Sequence, residues 1–240
     1  MTTREAKERK ARNAYARERR RLHRMHLFEK AARANGYELI GGVDEVGRGP
    51  LAGPVVAACV IAREPLMLHG LNDSKQVRPA LRAELEIEIK LRATGWAIGV
   101  ATVEEIERLN IYWASVLAME RAIAALPMLP QYLITDAVRL RSFAGPQEPL
   151  IKGDARCAVV AAASILAKVY RDDLLDAMDR EDPRYGFAEH KGYATPRHLA
   201  ALADHGPSIF HRPSFCRVRD AQMTLGLDDE QAPMEPDQGP

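Results

Sequence analysis

Cysteine is scarce. Cys59, Cys157 and Cys216 are odd in number, widely spaced, and none forms the Cys-x-x-Cys pair of a zinc site. That excludes a disulfide framework, and the three read as small apolar residues in a reducing compartment. No apolar run approaches the roughly 20 residues of a membrane span. The charged N-terminus has no apolar stretch behind it of the kind a secretory leader carries. A cytoplasmic protein with no membrane contact is therefore expected. There is also no internal repeat and no sign of a second core.

A hydrophobic content of 47% with 28% charged residues reads as globular. The net charge of +1 conceals an uneven distribution. Residues 1–24 hold ten Lys/Arg against Glu5, Glu8 and Glu18, a net +7, whereas residues 221–240 hold five acids and no base. Three segments follow: a basic, helix-prone extension over 1–35, a globular body over 36–222, and an acidic tail over 223–240 expected to be disordered. The extension is open to two readings, a solvated helix or an electrostatic arm for a polyanion.

Within the body, Glu38–Val43, Pro54–Ala62, Gly95–Val103 and Gln131–Asp136 read as strands, with a short fifth strand over Leu150–Gly153. Helices are expected from Pro79, from a Thr102/Glu105 capping box through Ile123, over the alanine-rich Ala155–Met178, and over Pro196–His205. This is an α/β pattern with acids at strand ends: Asp44 with Glu45, then Asp136, then Asp154. Parallel neighbours would bring these acids to one edge of the sheet, where open α/β sheets place their sites. Crowded carboxylates need compensating charge. Two divalent cations roughly 3.5–4 Å apart would supply it and suit phosphodiester cleavage. All-oxygen ligation favours Mg²⁺ or Mn²⁺ over zinc. Strict alternation aims Asp44 and Glu45 at opposite faces, so a shared site requires Glu45 to lie already in the turn that Gly47 starts. Asp154, just before a helix, is also readable as a cap. The turn Gly47-Arg48-Gly49 bares backbone groups beside the acids, as close approach to a sugar or phosphate requires.

The stretches GVDEVGRGPLAGPVVAACVI, LNDSK, LITDAVR, IKGDARCAVVAAASILAKVYRD and YGFAEHKGYATPRHL together resemble ribonuclease HII, in family order and over most of residues 38–220. The resemblance implies a ribonuclease H-like fold with a mixed central sheet flanked by helices. Asp44, Glu45, Asp136 and Asp154 match the family's metal-binding, catalytic carboxylates. Gly47, Arg48 and Gly49 match the motif whose backbone recognises the ribonucleotide 2′-OH, the group that separates RNA from DNA. Tyr193 matches the tyrosine that stacks on the adjacent deoxyribose; without the resemblance it reads as a packing residue. Asn72, Ser74, Lys75, Lys168 and Arg171 fall in segments that line the family's nucleic-acid groove. The implied activity is hydrolysis 5′ to a ribonucleotide in RNA–DNA hybrids or ribonucleotide-bearing duplex DNA, by a monomer using two cations. Three departures stand out: Ala137 replaces the usual glycine after Asp136, excluding an easy left-handed backbone there, Cys157-Ala158-Val159 stands where more polar or Pro-containing variants are expected, and Tyr170 stands where threonine is common. Alternatives are ribonuclease HIII, against which the helical extension counts, and a non-catalytic nucleic-acid-binding protein, against which all four acids count.

Overall fold

The computed structural model describes residues 3–230. Helices α1 (Thr3–Met25) and α2 (Leu27–Ala34) lead into strands β1 (Ile40–Val46) and β2 (Val55–Ala62). Helix α3 (Pro79–Arg92), strand β3 (Gly95–Ala101) and helices α4 (Val103–Leu109) and α5 (Ile111–Ala124) follow. Strands β4 (Tyr132–Asp136) and β5 (Gln147–Leu150) complete the sheet. The chain continues through α6 (Gly153–Arg156), α7 (Ala158–Glu181), α8 (Phe187–His190), α9 (Pro196–His205) and α10 (Cys216–Glu230).

The strands form one mixed sheet in the order β3-β2-β1-β4-β5. β1 pairs antiparallel with β2 and parallel with β4, and β4 pairs parallel with β5. Every residue of β2 is buried, which accounts for its unbroken apolar sequence. On one face Ile40, Val56, Ala58 and Val60 pack under α7 and α3; on the other Val43, Val55, Ala57 and Cys59 pack under α5. Helix α7 lies close on β1 because Gly42 has no side chain: a Cβ there would stand 2.4 Å from the Val159 carbonyl carbon. A smaller core joins Leu51 and Ala52 to Tyr185, Phe187, Leu202 and Val218, and backs the turn after β1.

Several boundaries differ from the sequence expectation. The first strand runs on to Val46, so Glu45 is still in the strand, paired with Ala57. The long helix expected through Ile123 breaks at Asn110 (φ 71°), whose side chain accepts from the backbone N–H of Tyr112 and Trp113 and so starts α5 afresh. The fifth strand is Gln147–Leu150, not Leu150–Gly153: Lys152 turns left-handed (φ 57°) and Asp154 sits in the single turn of α6. The alanine-rich helix likewise restarts after Cys157, which is extended. Part of the expected extension belongs to the body, since Leu22, Met25 and Ala32 join the main core. Glu29 Oε1 accepts from the Val159 N–H at 2.9 Å and serves as the N-terminal cap that α7 lacks locally. α10 carries the start of the acidic tail in helix through Glu230, and residues 231–240 lie outside the described residues.

Candidate active site

Asp44 and Asp136 are equivalent across parallel neighbours. The β1–β4 register pairs Val43 with Thr135, and each acid is the next residue along. By alternation both point to the α7 face, with Ile134 two residues before Asp136 in the core there. Asp136 Oδ1 accepts from the Gly153 N–H at 2.8 Å, which ties β4 to the first turn of α6. Asp154 on that turn accepts from the Ala155 N–H at 2.8 Å. Glu45 projects to the opposite face at the sheet's end and meets Arg48 Nη1 at 3.3 Å.

The four acids act on one another electrostatically. Burial drives the Asp44 carboxyl well above its ordinary range, the Glu45 charge pushes further, and Asp136 and Asp154 add to it against a lowering bond from Ser164. Burial also raises Glu45, opposed by Arg48 and reinforced by Asp136. Asp154 is raised by burial and then by Asp73 and Asp136. Glu45 Oε2 is buried with no hydrogen-bond partner. Among the described residues no group of three or more His, Cys, Asp or Glu is already drawn together as a cation cage, so the acids are neighbours rather than a closed coordination set. An orphaned buried oxygen and crowded carboxyls, all oxygen donors, fit a hard divalent cation.

The groove residues divide. Ser74 is buried, its hydroxyl 2.9 Å from that of Ser164, the residue bonded to Asp44. Lys75 faces the acids: partial burial pulls its ammonium down, but Asp73, Asp44, Asp154 and Tyr193 outweigh that and raise it. Asn72 bonds Gln76 at 3.1 Å. Lys168 is not presented to the groove; it is paired at 2.5 Å with Asp172, which also holds Arg82. Arg171 is fully buried, and its guanidinium is committed to the carbonyls of Pro54, Ala52 and Lys191, each at 3.0 Å. Its place is beneath the turn rather than on the groove surface.

Sequence reasoning missed Arg212. It too is fully buried, and donates to the carbonyls of Gly47 (2.6 Å), Arg48 (3.1 Å), Pro50 (2.8 Å) and Gly53 (2.9 and 2.7 Å). A second arginine thus gathers the inward carbonyls of the Gly-Arg-Gly-Pro turn. Gly47 (φ 98°) is buried, and a Cβ there would lie 2.3 Å from Arg171 Nε. Gly49 is different: a Cβ would meet only the Tyr193 ring at 3.9 Å, so nothing in the protein demands glycine. Its bareness leaves an exposed backbone beside an aromatic ring that is 41% exposed.

Tyr193 is held by histidines. The Ser208 N–H donates to His211 Nδ1, so His211 donates from Nε2 to His198 Nε2 at 3.0 Å. His198 then donates from Nδ1 to the Tyr193 carbonyl at 2.9 Å. Burial lowers both imidazoles to about 4, so the chain of neutral rings persists through neutral pH. Asp73 was also overlooked, between two residues singled out; its carboxylate caps the Ser74–Gln76 turn through the Lys75 N–H at 3.0 Å.

Ala137 adopts φ 56° after Asp136, the left-handed conformation that alanine resists. Ala137→Gly should relieve that strain, offset in part by the freer unfolded chain. A net gain of about 0.5–1 kcal/mol is expected, seen in thermal melts as a rise of roughly 1–4 °C. A lower midpoint would show that the backbone there is unstrained.

A five-stranded mixed sheet with helices on both faces and acids at one end of β1 and β4 is the ribonuclease H-like class. Ribonuclease H2 from Pyrococcus horikoshii shares the fold with a TM-score of 0.67 over 78% of this chain and 99% of that one, at 24% identity. Bst-RNase HIII in complex with Mn²⁺ does so with a TM-score of 0.62 over 81% and 72%, at 20% identity. Sequence narrows the class. The Ribonuclease HII family model matches residues 41–218, and Ribonuclease HII of Pelotomaculum thermopropionicum is 50% identical over 210 residues, 87% of this chain and 79% of that protein. The chain belongs to the ribonuclease HII family and is an endoribonuclease of RNA–DNA hybrids.

Proposed function

We propose that the chain cuts the phosphodiester on the 5′ side of a ribonucleotide, in RNA–DNA hybrids and at ribonucleotides embedded in duplex DNA. It leaves 5′-phosphate and 3′-OH ends and serves ribonucleotide removal during DNA replication and repair in the cytoplasm, as a monomer. Asp44, Glu45, Asp136 and Asp154 would hold two divalent cations, Mg²⁺ or Mn²⁺. When bound, such ions activate water and stabilise the leaving 3′-oxygen. The protein's own groups do the rest. Asp136 and Asp154, tied through the first turn of α6, keep their carboxylates at the strand end. The exposed Arg48–Gly49 backbone offers its polar groups to a 2′-OH, and the Tyr193 ring beside Gly49 offers a face to the neighbouring sugar. Lys75, near Asp44 and Asp154, offers a cation to phosphate. The division into a basic arm, a catalytic body and an acidic tail belongs to the same proposal, with α2 counted in the body.

The observation that carries this reading is the bare, arginine-clamped turn directly following the acids of β1. A labelled DNA duplex with one embedded ribonucleotide tests it, incubated with Mg²⁺, Mn²⁺ or EDTA beside the all-DNA duplex. Expected is a single cut 5′ to the ribonucleotide with either metal and none in EDTA. Equal cutting of the all-DNA duplex, or binding without cleavage, would count against it.

A further inference from the structure

Helix α1 lies outside the matched family span of residues 41–218, yet it is firmly joined to the body. Arg21 Nη2 donates to the Leu71 carbonyl at 2.7 Å, and Glu18 Oε1 accepts from the Gly70 N–H at 2.9 Å. Leu22 and Met25 are buried in the main core. The Arg21 bond, with burial opposing it and the Gly70 N–H assisting, holds Glu18 down at about 2, so this acid is engaged at the joint. The contact falls on the loop that runs straight into Asn72–Gln76, the turn whose Lys75 feels Asp44 and Asp154. A groove of about 380 Å³ lies between them, its walls including Arg17, Arg21, Asn72, Gln76 and Arg78. Cationic side chains therefore continue from the acids, through Lys75 and Arg78, onto the helix.

We infer that α1 is a second duplex-binding surface that tracks the phosphates of the nucleic acid entering the active site, an inference that rests on the function proposed above. Residues 1–24 carry a net charge of +7. From Arg9 to Arg17 every side chain is exposed, and the one large apolar residue is Tyr15. A surface so poor in apolar groups suits neither a membrane nor a partner helix, both of which need an apolar stripe. It suits polyanion backbone, where affinity comes from phosphate neutralisation without base contacts. The helix has 23 residues, about 35 Å at ~1.5 Å per residue, close to one turn of duplex at ~34 Å. Fixed to the body by Glu18 and Arg21, it carries its charges at a set distance from the cleavage point.

The test substitutes Arg9, Lys10, Arg12 and Arg17 by Gln, which keeps helix propensity, in the full chain. Binding to a 30-base-pair duplex with one ribonucleotide is measured in Ca²⁺ across 50–200 mM salt. Each phosphate that is no longer neutralised should flatten the slope of log Kd against log[salt] by roughly 0.9, so a reduction of about 2–4 is expected, with affinity down at least ~10-fold. A charge-conserving variant (Arg9→Lys, Lys10→Arg, Arg12→Lys, Arg17→Lys) should keep the parent slope, separating charge from helix disruption. An unchanged slope in the Gln variant, while the parent still cuts at the ribonucleotide, would overturn the arm and leave the activity standing. A parent that neither binds nor cuts this duplex would overturn both. Arm-dependent binding to anionic vesicles with an unchanged duplex slope would overturn it in favour of a lipid surface.

Discussion

Asp44→Asn should abolish turnover of a ribonucleotide-bearing duplex while making the metal-free protein more stable. Loss of a group that merely orients a metal ligand lowers metal affinity or activity by roughly 10–100-fold. Loss of the carboxylate central to the set should exceed that, at about 10³-fold or more in kcat, with duplex binding largely kept. Stability should move the other way. Burial, then Glu45, drives the folded-state value of Asp44 well above normal, whereas the unfolded chain titrates near ~3.9. Between those values the folded state holds more protons than the unfolded state, so this group's contribution to stability falls as pH rises through that window. A neutral amide of the same shape removes the penalty. In EDTA at pH 7 the variant should melt above the parent, with the difference closing as pH falls towards about 4. For the same reason, divalent cation binding to the parent should release protons, and the variant should release fewer. Retained metal-dependent cleavage, or a variant melting below the parent in EDTA at pH 7, would contradict this account of Asp44.

That trade of stability for function was half visible in the sequence. Two adjacent carboxylates at the end of an apolar run broken by two glycines are conspicuous because burial penalises them. What alternation could not convey is that Glu45 stays in β1 with Asp44 and still acts on its carboxyl electrostatically. They face opposite sides of a strand whose pairing with β2 ends one residue further on, at Val46. Asp154 was recognisable as an acid near the start of a helix; its true element was not, because Lys152 in a left-handed conformation moves the strand end back to Leu150. Asn110 shows a similar limit. An asparagine inside an amphipathic stretch does not interrupt the 3.6-residue period, and only the positive φ reveals two helices. Glu29 and Arg212 were unreadable for a simpler reason. Their partners are backbone groups some 130 and 160 residues away in sequence, and backbone amides and carbonyls leave no mark on composition or spacing.

Arg212 supplies the second large effect. Its five bonds go to four carbonyls, those of Gly47, Arg48, Pro50 and Gly53. Burial, with Arg171 nearby, lowers its guanidinium to about 9, which leaves it charged at neutral pH. Lysine has the charge but not the planar fork, and a single ammonium cannot span carbonyls on both sides of the turn. Arg212→Lys and Arg212→Met should each destabilise the protein by about 3–5 kcal/mol, the range for breaking a buried charged network. At roughly 2–4 °C per kcal/mol, the melting temperature should fall by ~6–20 °C. The functional consequence should be selective. Gly47 and Arg48 are held through the carbonyls to which Arg212 donates, whereas Asp136 and Asp154 are fixed through α6 and Asp44 through the sheet. With the turn loosened and the acids in place, Mn²⁺ affinity at a temperature where the variant is folded should stay within a few-fold of the parent. Cleavage at a single embedded ribonucleotide should fall relative to cleavage of an RNA tract at the same time, because an RNA tract gives the enzyme many 2′-hydroxyls on which to find a productive register and a single ribonucleotide gives one. A variant that loses metal binding and selectivity together would place Arg212 in general support of the fold. One that keeps the parent's unfolding midpoint would show that the turn holds its shape without the clamp.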